Sequence, residues 1–491
     1  MRISIKIQRF FLEAICFLYI LLFVYASVSK LLDFENFQVQ LGQSPLISSF
    51  AGFISFFIPI LELLLAFFLV FPKTRRMSLY LSTFLMSTFS AYIFIMINFS
   101  PNVPCSCGGI LEQLNWKEHL YFNLLFVFLG TVALYLENNE IIKRTNIKLI
   151  FLFLLSLSLV YALFHTSEWM KQERNNFTRS FPHYPIQYVS EMDLKFNSYY
   201  IAGYGSDKVY LGNHTAPLTV TEIDSSLSYK RQHYIKLPQT ALTYKSLTLT
   251  IDSPYFYVWD GTEAFVYRGS TDDWKASLYI DREAYFTSFV PISKNRVSIR
   301  AISSDTNQSV LGTLVVADSV KVALNPAILI KQVDGLFDTD GTHLFNKQNH
   351  KILYTYYYRN QYAVCDTLLQ EHKYGKTIDT TNKAKIKVKF IKSKQGSKLS
   401  EPVVTVNKRT ATYGNYLYIH AGLLGRYEPK ENWEHNSIID VYDFMENTYQ
   451  FSFYIDNKYQ SKLKDFMVSE DLIYTLSGNY IRTYRFKKDF Y

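Results

Sequence analysis

Long apolar runs fill the first third of the chain, and short alternating segments fill the rest. Five apolar stretches recur up to about residue 165, at approximately Phe10–Leu32, Leu46–Phe71, Met77–Ile97, Leu120–Leu136 and Ile147–Phe164. Each is about 17–26 residues long, and a helix needs about 20 to cross a bilayer. Residues 170–491 contain no run of that length. The first run is too long for a signal peptide, lacks a small-x-small cleavage site and is followed directly by further apolar runs, so it is expected to stay as a membrane helix. The pattern predicts a five-helix transmembrane bundle over residues 1–166 and a polar linker over residues 167–182.

From residue 183 to 491 the pattern changes to short strands rich in Tyr, Phe, Val and Ile. A loose unit recurs, clearest at Phe256–Tyr267 and Leu472–Tyr484. Weaker copies start near Val209, Val297, Ile352 and Leu417. The anchors Val209, Phe256, Val297, Ile352, Leu417 and Ile473 lie 47, 41, 55, 65 and 56 residues apart. Such spacing suits four strands plus loops per unit, so six units predict an all-β, six-bladed β-propeller-like domain. One or two β-sandwiches are the alternative, but they do not call for six similar units. No Trp-Asp pair closes the units, so the likeness to propellers is architectural.

Composition fits two unlike parts averaged together: of 491 residues, 48% are apolar and 19% charged. Four cysteines exclude a small disulfide-stapled domain. The 17% aromatic content suits twisted sheet faces and blade-to-blade packing. Charge sets the expected orientation. Arg2, Lys6 and Arg9 precede the first run, Lys73, Arg75 and Arg76 follow the second, and Lys143, Arg144 and Lys148 follow the fourth. The opposite loops add only Lys30 and Lys117. The positive-inside rule then predicts a multi-pass protein of the bacterial inner membrane, with a cytoplasmic N-terminus and a periplasmic β domain. Its expected surroundings are a lipid bilayer and envelope proteins, and not nucleic acid.

The outer loop 99–117 carries Pro104-Cys105-Ser106-Cys107-Gly108-Gly109. A disulfide between residues two apart closes a small, strained ring, and strained disulfides are the labile or catalytic ones. The two glycines permit unusual dihedrals. Cys105 and Cys107 are therefore candidates for a redox dithiol, against an inert local crosslink or two bystander thiols. Zinc is disfavoured, since only His119 lies nearby and no second cysteine pair exists. Ionisable residues inside spans cost about 2.5–3.5 kcal/mol each, which singles out Glu62 and directs it toward the bundle interior. Glu13 and Lys30 lie near the ends of the first span, where either could snorkel. His119 and Asn123 open the fourth span near the cysteine loop. These polar residues either support proton or electron movement or fix helix packing by hydrogen bonds. Cys16 reads as a small packed residue.

Ser29-Lys30-Leu31-Leu32-Asp33-Phe34, Pro59-x-x-Glu62-Leu63-x-x-Ala66, and Pro104-Cys105-x-Cys107-Gly108-Gly109 followed by Trp116-x-x-His119 resemble the MauE branch of the DoxX-like membrane proteins. The resemblance covers about residues 8–137. It implies a small helical bundle with a redox association. The methylamine-utilisation members are thought to assist maturation of a disulfide-rich periplasmic subunit, a substrate that does not carry over to a chain with so long a β half.

The β half contains no HExxH, GxSxG, P-loop or GxGxxG. Asp334-Gly-Leu-Phe-Asp338-Thr-Asp340-Gly341 has oxygen ligands at loop spacing, but position 345 is Phe where a calcium loop needs a bidentate Glu, so a hydrogen-bonded turn is the plainer reading. Cys365 follows strand alternation and is expected to be a buried free thiol. The run Lys383-x-Lys385-x-Lys387-x-Lys389-x-x-Lys392-x-Lys394 reads as a solvated strand face that discourages edge pairing. Two functions from different classes remain. One is a membrane thiol–disulfide or electron-transfer component whose propeller docks a thioredoxin-like partner or a client. The other is a non-enzymatic, membrane-anchored binding scaffold. No cofactor is evident, and the sequence does not say whether a quinone binds.

Overall fold

The computed structural model describes residues 5–34, 37–38, 41, 50–99, 115–137, 142–171, 177–238, 243–391, 396–426, 428–458 and 461–490. The chain divides into two compact units, residues 1–173 with 386–403, and residues 174–385 with 404–491.

In the first unit the apolar runs form α1 (Ile5–Leu32), α2 (Ala51–Val70), α3 (Pro72–Phe99), α4 (Trp116–Glu137) and α5 (Ile142–Lys171). Among the described residues these five helices are long and apolar enough to span a membrane. The core is built from residues at helical spacing: Leu12, Ile15, Tyr19 and Phe23 of α1 pack with Leu65 and Leu69 of α2 and with Phe126 and Ala133 of α4. Tyr19 donates its hydroxyl proton to the Phe126 carbonyl at 2.6 Å. That contact depends on Gly130, where a Cβ would stand 2.4 Å from both the Tyr19 and Thr83 hydroxyls. Cys16 is a buried free thiol in this core, as expected.

The second unit is a six-bladed propeller of four-stranded antiparallel sheets. Blade 1 holds β2–β5 (residues 199–234), blade 2 holds β6–β9 (248–281), and blade 3 holds β10–β13 (286–325). Blade 4 holds β14–β17 (341–376), and blade 5 holds β20–β23 (407–456). Blade 6 runs β24–β25–β26 (463–486) and is completed by β1 (Ile186–Asp193), which pairs antiparallel with β26 through Ile186 opposite Phe486. The N-terminal strand of the unit thus closes the ring with the last blade. First strands touch around the circle in the order β2, β6, β10, β14, β20, β24 and back to β2. Every repeat anchor read from the sequence falls in the second strand of its blade: Val209 in β3, Phe256 in β7, Val297 in β11, Ile352 in β15, Leu417 in β21 and Ile473 in β25. The long spacing before Leu417 is accounted for by an extra hairpin, β18 (Val388–Ile391) with β19 (Gly396–Leu399), inserted between blades 4 and 5.

That hairpin groups with the helical unit. Lys389 Nζ donates to Gln38 Oε1, and Lys387 pairs with Glu401 at 2.7 Å. The solvated lysine face holds for Lys383, Lys385 and Lys387, which are exposed and alternate with buried Ala384 and Ile386, whereas Lys389 is half-buried and engaged. Lys392 and Lys394 lie outside the described residues.

Tyrosines hold the blades together. The Leu249 amide of blade 2 donates to the Tyr200 hydroxyl of blade 1 at 2.7 Å, and the Ile378 amide donates to Tyr442 of blade 5 at 3.1 Å. Two tyrosines lie flat over a glycine directly opposite on the next strand, Tyr200 over Gly212 and Tyr362 over Gly375. A Cβ on either glycine would stand within 2.3 Å of the ring. Aromatic cover compensates the weak strand propensity of glycine.

A buried histidine makes the propeller sensitive to acid. His343 is surrounded by protein, with its ring nitrogens 3.3 Å from Ser288 Oγ and 3.0 Å from Ser298 Oγ. Burial, with Arg300 nearby, depresses it to about 3. The unfolded chain takes up this proton near pH 6.5, and the folded chain refuses it until far lower pH. Stability is therefore lost as pH falls below about 6.5, at up to ~1.4 kcal/mol per pH unit. Chemical denaturation of wild type and His343→Gln at pH 7, 6 and 5 should show a shallower pH slope in the variant, whatever its stability at pH 7.

Candidate functional site: a polar pocket in the helical unit

The intramembrane polar residues read from the sequence meet in one place. Lys30, Glu62, His119 and Asn123 all line a single cavity of about 470 Å³ within the helical unit. The connection between α1 and α2 has two rungs. Ser27 Oγ donates to the Pro59 carbonyl at 2.8 Å, and Lys30 Nζ donates to Glu62 Oε1. Ser27 and Lys30 are three residues apart on α1, and Pro59 and Glu62 are three apart on α2, so each pair shares a helix face. Both rungs are buried: Ser27 is 0% exposed and Glu62 is 1% exposed.

Here one sequence expectation is corrected. Lys30 does not snorkel to the interface, because it turns inward onto Glu62, with Nζ 5.8 Å from the Phe37 ring centroid and 5.7 Å from that of Phe89. Glu13 does stay at the bundle surface, in an exposed pair with Arg9 at 3.3 Å.

The Lys30–Glu62 pair uses only part of its bonding capacity. Among the described residues Glu62 Oε2 is buried without a hydrogen-bond partner, and so is His119 Nδ1. The remaining walls are aromatic and aliphatic, with Phe37, Phe53, Phe57, Phe89, Tyr92 and Trp116 among them. Trp116 and His119 lie one turn apart, their ring centroids 6.4 Å from each other. Sequence reasoning found the polar members by their cost in a membrane, but not the aromatic cage, since Phe is ordinary in a spanning helix.

The cavity belongs to one end of the bundle. Its lining comes from the C-terminal halves of α1, α3 and α5, the N-terminal half of α4, α2 from Phe53 to Glu62, and Phe37, Leu41 and Phe50 outside these helices. In the sequence, residues 100–115 connect α3 to α4 at that same end. Cys105 and Cys107, the candidate dithiol, are in this connection and lie outside the described residues.

Among the described residues no group of His, Cys, Asp or Glu could hold a metal. The 334–341 loop is a hydrogen-bonded turn: Asp338 accepts backbone N–H groups from Gln332, Val333, Asp334 and Gly335, and Asp334 accepts from Leu336, Phe337 and Asp338. Those amides fill both oxygens of Asp338 and Oδ1 of Asp334, while Asp334 Oδ2 is buried without a hydrogen-bond partner among the described residues. Cys365 is a buried free thiol that burial pushes up to about 12, so it stays protonated and inert.

No curated protein matches the chain. Solved structures resemble it at low identity. A catalytically inactive virginiamycin B lyase from Staphylococcus aureus, crystallised with quinupristin, is 9% identical, with a TM-score of 0.36 over 62% of this chain and 100% of that one. A protein of unknown function from Bacteroides thetaiotaomicron is 13% identical, with a TM-score of 0.38 over 64% of this chain and 76% of that one. A chain of a nidogen/laminin complex is 11% identical, with a TM-score of 0.32 over 51% of this chain and 76% of that one. Residues 8–136, which carry α1 to α4 and the polar pocket's Lys30, Glu62, His119 and Asn123, match the family model described as methylamine utilisation protein MauE.

Proposed function

We propose that this MauE-type membrane protein is a thiol–disulfide exchange component whose Cys105–Cys107 pair oxidises a partner dithiol, with the propeller as docking surface. The observation that carries the reading is the gathering of Lys30, Glu62, His119 and Asn123 around one cavity at the end of the bundle to which the Cys105–Cys107 connection belongs. A structural role alone would satisfy these groups against one another, yet Glu62 and His119 each have a buried atom without a hydrogen-bond partner among the described residues. In the exchange, a partner thiolate attacks one sulfur of the Cys105–Cys107 disulfide. That S–S bond breaks and a mixed disulfide forms. The partner's second thiolate then displaces it, leaving the partner oxidised and both cysteines reduced, with two electrons and two protons transferred. The positive-inside asymmetry supports a periplasmic side for this chemistry and for the propeller.

A Cys→Ser change at whichever sulfur is the resolving one freezes the mixed disulfide. Cys107→Ser and Cys105→Ser variants, acid-quenched in cells and separated without reductant, should differ: one should carry a covalently attached, reductant-sensitive partner and the other not. If neither traps any protein while wild type keeps both cysteines reduced, exchange is refuted, and the bundle is an anchor for a binding propeller.

A further inference from the structure

We infer that the cavity in the helical unit is the binding site of a membrane-soluble quinone, held by the Lys30–Glu62 pair at one end and by the aromatic walls around its ring. Three observations select this ligand class. The volume of about 470 Å³ lies in the range of small-molecule sites. One wall of the cavity is also bundle surface, since Phe53 is 66% exposed and Phe57 47% exposed on α2, so a ligand enters from hydrocarbon and must be lipophilic. The polar end is balanced in charge: Lys30 is already matched by Glu62, which disfavours an anionic lipid headgroup and suits a neutral head.

Within that neutral class, the donors and acceptors specify carbonyls on a flat ring. Lys30 has three N–H donors and spends one on Glu62. His119 Nδ1 and Glu62 Oε2, on residues of the cavity wall, are buried and unpartnered among the described residues. A carbonyl oxygen can accept from Lys30. Once reduced to a hydroxyl it can donate to Glu62, so the same site serves both states of the ligand. Phe53 and Phe57 stack with centroids 5.2 Å apart and planes 17° apart, and with Phe89, Tyr92 and Trp116 they offer faces to an aromatic ring.

The inference rests on the thiol-exchange reading only for the direction of electron flow. There the quinone is the oxidant that resets the pair: the two thiols of Cys105 and Cys107 lose two protons and two electrons, an S–S bond forms, and both quinone carbonyls become hydroxyls.

Binding is tested apart from that reaction, in the full chain carrying Cys105→Ser and Cys107→Ser. Quinones quench tryptophan emission, and Trp116 lines the cavity. Titration of the detergent-solubilised protein with a short-chain ubiquinone should quench saturably, and Trp116→Phe should lose that component. Glu62→Gln and His119→Gln should each weaken binding about tenfold. The double variant Lys30→Met/Glu62→Leu, which removes both charges together, should abolish it while keeping the wild-type circular dichroism spectrum. An isoprenoid alcohol with the same tail should not compete. Absence of saturable quenching, retention of full affinity in the double variant, or equal competition by the alcohol would overturn the quinone site, the last marking a groove for lipid tails. Loss of binding here alongside successful partner trapping would leave thiol exchange intact with another oxidant. Binding without trapping would leave the quinone site standing alone.

Discussion

Lys30→Met is expected to destabilise the helical unit by on the order of 3–5 kcal/mol, among the largest effects of any single change in the protein. The reason is what it leaves behind. Glu62 is 1% exposed on α2, and among the described residues Lys30 is its only ion-pair partner. Without the ammonium, the carboxylate must remain buried and charged or take up a proton, and either outcome costs free energy. Ser27 and the Pro59 carbonyl still join the two helices, so the fold should loosen at the pocket end rather than come apart. The second-site change Glu62→Leu should recover most of the loss, because removing both charges avoids the orphan. Thermal inactivation or protease resistance of the detergent-solubilised protein would measure both variants. A single variant as stable as wild type would mean that the pair is not formed.

Arg179→Met is expected to have a comparable effect on the propeller. Arg179 lies in the polar stretch that the sequence reads as a linker, yet its side chain is only 2% exposed. Nε donates to Asp440 Oδ1 at 2.6 Å and Nη2 to Oδ2 at 3.1 Å, a bidentate pair. Nη1 donates to both oxygens of Glu428 at 2.8 Å, and Nη2 also reaches the Leu423 carbonyl at 3.1 Å. The guanidinium sits 4.8 Å over the Phe177 ring. One cation therefore neutralises two buried carboxylates. Losing it should cost about 3–5 kcal/mol and lower the propeller's melting temperature by ~5–10 °C. Arg179→Lys should recover only part, since an ammonium cannot make both forks. Adding Asp440→Asn and Glu428→Gln to Arg179→Met should recover more than lysine does. Calorimetry on the full-length protein separates these cases, and an unchanged transition in Arg179→Met would contradict the geometry.

The legible parts of this molecule are those governed by a period. Spanning helices declare themselves by length and hydropathy, and all five lie where the apolar runs do. Blades were countable because the second strand of each is buried on both faces. Its apolar run therefore survives divergence of the loops, as at Phe256–Val258 and Ile352–Tyr354. Blade 6 was legible only in part, because its fourth strand, β1, comes from the opposite end of the unit, and pairing at that separation leaves no local trace. The inserted hairpin showed itself as excess spacing before Leu417 and as the alternating lysine run that contains β18, but not as a pair of strands. Glu62 was legible through the cost of a carboxylate in a membrane. Its pairing with Lys30 was not, because 32 residues separate them and both snorkelling and pairing satisfy the same composition. The aromatic cage was invisible for a different reason: in a spanning helix, phenylalanine facing lipid and phenylalanine facing a cavity are the same letter. Arg179 was missed because a charge in a polar stretch gives no sign that it is buried.

Labelling in intact cells tests whether Cys105 and Cys107 form a reversible disulfide outside the cytoplasm. Cells making the full chain, with Cys16 and Cys365 buried as internal controls, would be treated with a membrane-impermeant maleimide before and after brief exposure to mild reductant. No labelling before reduction and labelling of both cysteines together afterwards is the result expected of the proposed disulfide, if it is strained, easily reduced and on the periplasmic side. Free, labelled thiols before reduction, or cysteines that react only after the cells are opened, would contradict it.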